Sequence, residues 1–412
     1  MRRRSFLTAS LAAGLLLPFG PDRWLARAEP ANQRRLIVVF LRGATDGLNV
    51  VVPYGESDYY AARRSIAIRP PGGDQSALDL DGQFGLHPAL APLLRYWRAG
   101  QLAFVHASGS PDPTRSHFDA QLYLENGTPG RGIQSDGWMN RLLGLLPGPS
   151  GSGRAIAFGP QIPRILAGPQ PVANLTSAAA IGRPMPVDRP RVDEAFSRLY
   201  GGNDAMSRSF QEGKQARQQM QRDLAMADPE EQKLADGGAP TPTGFPADAA
   251  RLAEMMRHDP AIRLAFFGLG GWDTHIRQGG AEGQLANHLR PLAEGLAALA
   301  QGLGPAFGDS LILVMSEFGR TVRENGDGGT DHGHGNVLWL LGGGVAGGRV
   351  AGDWPGLAEE RLYQQRDLAV TTDFRQAIGP AVIRHLALPD SALVTLFPGP
   401  PPAGAPLALL RA

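Results

Sequence analysis

The apolar run Leu311 to Met315 stops abruptly at Ser316-Glu317. The chain then turns through glycines to Asp331-His332-Gly333-His334-Gly335-Asn336 and enters a second apolar run, Val337 to Leu341. Runs this short, apolar throughout and bounded by turn residues, have the pattern of strands buried on both faces of a sheet. In open α/β sheets, polar residues gathered past the carboxyl ends of such strands face the crevice where ligands bind. The device repeats along the chain. Leu36 to Leu41 ends in Arg42-Gly43-Ala44-Thr45-Asp46-Gly47, Leu102 to His106 leads to Thr114-Arg115-Ser116-His117, and Ile262 to Phe267 leads through glycines to Trp272-Asp273-Thr274-His275. A further short strand is predicted at Ala155 to Phe158. Pro88 to Gly100, Ala247 to Arg257, Leu285 to Leu303 and Arg375 to Ala387 carry the spacing of helices. The expected class is therefore α/β, with a site at the strand ends.

The first residues read as a leader. Arg2, Arg3 and Arg4 precede Ser5-Phe6-Leu7, an apolar stretch follows to Phe19, and Ala26-Arg27-Ala28 offers a small-x-small cleavage site. Arg3-Arg4-Ser5-Phe6-Leu7 resembles a twin-arginine export signal, which implies passage of the folded protein through the twin-arginine machinery to a periplasmic or secreted location. That apolar stretch is too short to span a bilayer, and no other segment has the length of a membrane helix. The expected organisation is a signal peptide over residues 1–28, one α/β domain over 34–395 and a Pro-rich surface tail over 396–412. A charged, Gln-rich helical insertion interrupts the domain at about 190–245.

Outside residues 1–28 the sequence carries 35 basic and 38 acidic side chains, a net charge of −3 with histidine neutral. That balance gives no electrostatic footprint for nucleic acid. With no cysteine there is no disulfide, no thiolate nucleophile and no sulfur ligand. Any metal must be held by oxygen and imidazole nitrogen.

The candidate residues follow from position. Asp46, flanked by glycine just past a strand end, is either a ligand or the start of an Asp-Gly turn. Thr114 or Ser116 stands at a helix start, where a hydroxyl either caps the helix or acts as a nucleophile beside donors that favour an anion. Asp273 and His275, one residue apart in extended backbone, point to one side and read as ligands. Glu317, Asp331, His332 and His334 join them, and His117 stands near the candidate nucleophile. Carboxylates with imidazoles suit one or two divalent ions of the zinc or manganese kind. Two such ions would stabilise an in-line displacement at phosphorus or sulfur, with Arg115 or Arg320 holding a nonbridging oxygen. Gly342-x-Gly344-x-x-Gly347 matches a dinucleotide fingerprint on paper, but the residues after it cannot start the required helix.

The stretches LRGATDGLNVVVPY, TRSHFDAQ, GGWDTH, SEFGRT and TDHGHGN resemble an exported bacterial family of unknown function, family 1501, called sulfatase-like within the alkaline phosphatase superfamily. The resemblance implies a three-layer α/β/α sandwich with a mostly parallel central sheet. It also implies hydrolysis of a phosphate or related ester, small or polymeric. It assigns the nucleophile to Ser116 or Thr114, one metal to Asp273 with His275, and the other to Asp331-His332 with His334 as an extra ligand, with Asp46 as the strand-end carboxylate. Glu317-Phe318 stands where the superfamily's late Asp-His would, and Pro111 where a sulfatase's modified residue would. These departures motivate two other readings: a non-catalytic envelope or surface-assembly protein, and a metal-independent esterase using Ser116 and His117.

Overall fold

Alternation along the first strand decides the layering. Leu36, Val38 and Phe40 face one hydrophobic cluster while Ile37, Val39 and Leu41 face another. Both faces of the sheet must therefore be covered, which requires helices on each side.

The computed structural model describes residues 33–130, 135–148, 151–175 and 235–411, with isolated positions between 194 and 207. The predicted signal peptide and most of the predicted 190–245 insertion lie outside the described residues. In chain order the main elements are β1 (Arg35–Leu41), β2 (Leu102–Gly109), α1 (His117–Asn126), α2 (Trp138–Leu145), β3 (Ala155–Phe158), β4 (Ala173–Leu175) and α3 (Phe245–His258). There follow β5 (Leu264–Leu269), α4 (Gln284–Leu303), β6 (Ser310–Ser316), β7 (Asn336–Gly342), β8 (Arg349–Ala351), β9 (Thr372–Asp373) and α5 (Phe374–His385). The sheet runs β8-β2-β7-β6-β1-β5-β3-β4, with β9 also paired to β2. All pairings are parallel except those of β7, which is antiparallel to both β2 and β6. Helices α3 and α4 cover one face through residues such as Leu252 and Leu289. Helices α2 and α5 cover the other through Leu142 and Ile378. The result is the expected three-layer α/β/α sandwich with a mostly parallel sheet.

Register is what makes a site. Leu41 pairs with Leu269 on one side and Ser316 on the other, so β1, β5 and β6 end level. The segments beginning at Arg42, Gly270 and Glu317 emerge at one edge, and the antiparallel β7 starts at that edge, bringing residues 330–335 to it as well.

Three local expectations are revised. Pro88–Gly100 is not one helix: a 3-10 turn over Pro88–Leu93 precedes an α-helix over Leu94–Arg98. Pro92 lacks the N–H that an α-helical turn needs there. The strand predicted at Ile262 to Phe267 lies two residues later. The Pro-rich tail is no free extension, since Leu409 and Leu410 are buried and Leu410 bridges to Val345; these apolar side chains bury themselves on the α5 face of the sheet. Among the described residues no helix is long and apolar enough to cross a membrane.

Candidate metal centre

Four side chains from three strand-end segments meet at the sheet edge. His117 opens α1, Asp273 and His275 follow β5, and His332 lies in the loop before β7. The His332 Nε2 atom is 2.9 Å from His117 Nε2, 3.0 Å from His275 Nε2 and 3.2 Å from Asp273 Oδ1. His275 Nε2 is 3.0 Å from the same Asp273 oxygen, and His117 Nε2 is 3.6 Å from Asp273 Oδ2. His117, Asp273 and His332 each offer a ligand atom within 4.8 Å of the other two. These separations lie close to the edge of a tetrahedron of donors around a zinc-sized ion, about 3.3 Å.

The other ring nitrogens decide what the convergence means. His117 Nδ1 donates to Glu317 Oε1 at 2.8 Å, and His332 Nδ1 donates to the Arg115 carbonyl at 3.0 Å. His275 Nδ1 faces Asp331 Oδ1 at 3.3 Å. Each partner is an acceptor, so each Nδ1 carries the proton, and a neutral ring then turns a lone pair at Nε2 toward the others. With all three rings neutral, three lone pairs and a carboxylate aimed at one point repel, so the cluster takes up a cation between them, either a proton on Nε2 or a metal ion. Acceptors that lock the far nitrogen are how metal-binding histidines are oriented. The residues present therefore fit a divalent ion with nitrogen and oxygen ligands.

The electrostatics agree. Burial pulls the His117 ring down, but hydrogen bonds with Asp273 and Glu317 outweigh it and hold its pKa up at about 9. Burial would raise Asp273, yet the three imidazoles and the Arg320 charge hold it far below the carboxylate range. Glu317 is likewise lowered against its burial, chiefly by His117. Fields that hold a proton so firmly also favour a cation.

Supports surround the cluster. Glu317, fully buried, also accepts from Gly43 N at 2.8 Å, Gln121 Nε2 at 2.9 Å and Ser316 Oγ at 3.0 Å. Gly43 is required by close approach: with φ at 112°, a Cβ there would lie 2.6 Å from the Asp273 nitrogen. Arg320 donates to Asp273 Oδ1 at 2.6 Å, to Thr330 Oγ1 at 3.1 Å and to the Thr330 carbonyl.

The structure thus gathers His117, Asp273, His275 and His332, and places the remaining candidates differently. Asp46 is fully buried in a two-pronged ion pair with Arg63, at 2.5 and 2.9 Å, and accepts from Gln278 at 2.5 Å. Glu317 and Asp331 stand behind His117 and His275. His334 is buried against the Tyr363 ring, 4.7 Å between centroids. Arg320, with its donors engaged inside the protein, is not free to hold a substrate oxygen. Ser116 is exposed and caps α1, accepting from Asp119 N at 3.4 Å, while Thr114 Oγ1 accepts from Ser116 N at 3.2 Å. His117 directs Nε2 to His332 and Asp273, and among the described residues no hydrogen bond joins it to Ser116.

Sequence reasoning missed Gln121, Asp236 and Gln278. Gln121 was findable, since it lies one helical turn after His117 on the same face. Asp236, within the segment expected as a helical insertion, accepts from Gly271 N at 2.7 Å. Burial and the nearby Asp273 and Glu317 raise its pKa to about 7, against the Gly271 hydrogen bond.

Among solved structures, similarity is loose. The lipoteichoic acid synthase LtaP from Listeria monocytogenes is 10% identical, with 89% of this chain and 75% of that chain covered and a TM-score of 0.36. The C-terminal periplasmic domain of EcEptC from Escherichia coli is 12% identical over 75% of this chain and 72% of that chain, at 0.35. A protein in the alkaline phosphatase superfamily from Vibrio parahaemolyticus is 10% identical over 75% and 60%, at 0.34. No residue's role carries over at such values. No curated protein matches the chain. Residues 33–392 match the family described as "Protein of unknown function (DUF1501)", and the chain belongs to that family.

Proposed function

We propose that the chain is an exported, metal-dependent hydrolase of phosphate or related esters. One divalent ion of the zinc or manganese kind is held by His117, Asp273 and His332, with His275 beside them. The observation that supports this reading is the convergence of three imidazole Nε2 atoms on one carboxylate, each ring fixed from behind by an oxygen acceptor. When bound, the ion supplies Lewis-acid stabilisation of the charge that develops on the transferred group.

The chain's own residues do the rest. Glu317 and Asp331 set the ring orientations, and Arg320 fixes Asp273 in place. Ser116 is the assigned nucleophile. It sits between Arg115, whose carbonyl holds His332, and His117, at the N-terminus of a ten-residue helix where free N–H groups favour an anion. Export rests on the leader sequence.

The capping bond from Asp119 N to Ser116 Oγ favours a second reading, in which the helix start is structural and the chain is a metal-holding envelope or surface-assembly protein. Elemental analysis of the purified protein, with turnover of an aryl phosphate and an aryl sulfate, separates the two. The hydrolase reading expects bound metal, turnover abolished by chelation, and turnover abolished in Ser116→Ala with metal retained. Metal without turnover supports the second reading, and a folded protein that binds no divalent metal sinks both.

A further inference from the structure

We infer that the polar cleft beside the metal cluster receives the alcohol part of the ester, and that this part is a sugar or polyol rather than an aryl or acyl-chain group. The inference rests on the hydrolase reading above.

The cleft holds about 570 Å³, within the range of small-molecule sites. It shares its walls with the cluster. Asp331, which lines it, faces His275 Nδ1, and Arg366, which also lines it, donates to the His332 carbonyl at 2.9 Å. A group attached to an ester at the cluster is therefore led into this space.

Its lining selects chemistry. Arg64 and Arg323 are exposed there, and among the described residues their guanidinium groups have no hydrogen bond or ion pair. Asp58 and Glu359 face the same space as acceptors. Hydroxyl groups both donate and accept, so a polyhydroxylated group satisfies both sets, whereas a purely anionic one meets repelling carboxylates. Among the described residues no aromatic ring lines the cleft; its apolar residues are aliphatic, such as Val322 and Leu357. An aryl or acyl group finds no ring to stack on there and would bury the polar lining unpaired.

One wall is also strained. Residues 363–366 form a tight turn, with Arg366 N donating to the Tyr363 carbonyl at 3.2 Å, and its two central residues, Gln364 and Gln365, both have φ of 55°. Such a turn favours asparagine and glycine. Non-glycine residues held there point to a use for their side chains. Gln364 Oε1 accepts from Arg115 NH2 at 2.8 Å, and Gln365 lines the cleft.

The test is calorimetric binding of glucose 6-phosphate, phenyl phosphate and inorganic phosphate to the metal-loaded Ser116→Ala variant, which on the hydrolase reading keeps the metal but does not turn the esters over. Glucose 6-phosphate is expected to bind at least about tenfold tighter than either of the others, a margin readily resolved. Arg323→Ala and Gln365→Gly should each erase most of that margin while keeping bound metal. Gln365→Gly should also melt about 1–2 °C higher through relief of the left-handed strain, which separates lost binding from lost folding. A sugar phosphate bound no tighter than inorganic phosphate, a phenyl phosphate bound equally well, or a margin that survives both substitutions overturns the inference. Should inorganic phosphate bind no better with metal than without, the hydrolase reading has itself failed and the cleft assignment falls with it.

Discussion

Asp46 and Asp273 leave the same edge of the same sheet from adjacent strands, and both are buried, yet their surroundings differ in kind. Around Asp46 the polar capacity is used up internally. Both carboxylate oxygens are taken by Arg63, whose remaining donors reach Asn49 and the carbonyls of Thr321 and Val322. The nearby histidines behave alike: His87 accepts from Ala89 N and faces the Gly280 carbonyl, and His106 accepts from Ala107 N and faces the Val51 carbonyl. Around Asp273 the protein brings one guanidinium and three imidazoles but leaves the Nε2 atoms facing each other. A ring whose two nitrogens are both matched by backbone is part of the scaffold. A ring matched at Nδ1 alone has a nitrogen left for chemistry.

The contrast gives its largest effect in paired substitutions. Asp273→Ala removes the only carboxylate among the convergent donors and should abolish bound metal and turnover in the fraction that folds, since it too leaves a buried guanidinium, that of Arg320, without its carboxylate. Asp46→Ala leaves the Arg63 charge buried and unpaired, which typically costs about 3–5 kcal/mol. It should lower the unfolding midpoint sharply while the folded fraction still binds metal. Denaturant unfolding and metal analysis on both variants read this directly. If Asp46→Ala loses metal under conditions where it is folded, the two carboxylates are not separate in function.

Acid should find the Asp46 region next. Burial holds His87 and His106 down at about 4, against opposing hydrogen bonds to Gly280 and Val51. Their unfolded-state value is 6.5, so between these limits the unfolded chain binds more protons than the folded one. The stability these rings contribute is complete above pH 6.5 and is lost as pH falls toward 4. Each ring accounts for on the order of 2–3 kcal/mol. His106→Gln should flatten part of the acid limb of a stability-against-pH curve, since the buried His288 and His385 rings, also held down at about 4, contribute to the same limb; an unchanged limb would argue that His106 is not among the groups that titrate.

The sequence made the scaffold legible because its signals are local. Leu311 to Met315 and Leu36 to Leu41 are bounded apolar runs whose residue types and length fit buried strands without further information. Asp273-x-His275 and Asp331-His332 were visible as donor pairs for the same reason. What separated Asp46 from Asp273 was not local. Arg63 caps the short helix Ser57–Ala62, in a stretch whose sequence carries no periodic apolar pattern, and nothing in that stretch shows that its side chain reaches Asp46. Arg320 looked like a substrate clamp because its contact with Asp273 spans 47 residues of chain. The cluster's supports divide likewise: Gln121 follows from helical spacing, whereas Asp236 reaches Gly271 only through tertiary contact.

The smallest predicted effect tests whether the two regions are insulated. A hydrogen-bond relay joins them: Gln278 donates to Asp46 and accepts from Thr330 Oγ1 at 2.8 Å, and the same Thr330 oxygen accepts from Arg320 Nε, which belongs to the Asp273 side. Thr330→Val keeps the shape and removes that shared hydroxyl. Loss of two buried hydrogen bonds should cost about 1–2 kcal/mol of stability. Metal affinity should change only a few-fold, because Arg320 keeps both Asp273 and the Thr330 carbonyl. A double-mutant cycle pairing Thr330→Val with Gln278→Met should then return a coupling of about 0.5–1 kcal/mol in stability and almost none in metal binding. Were Thr330→Val to weaken metal binding as severely as Asp273→Ala, the relay would be part of the centre, and the ion pair at Asp46 would have to be counted among its supports.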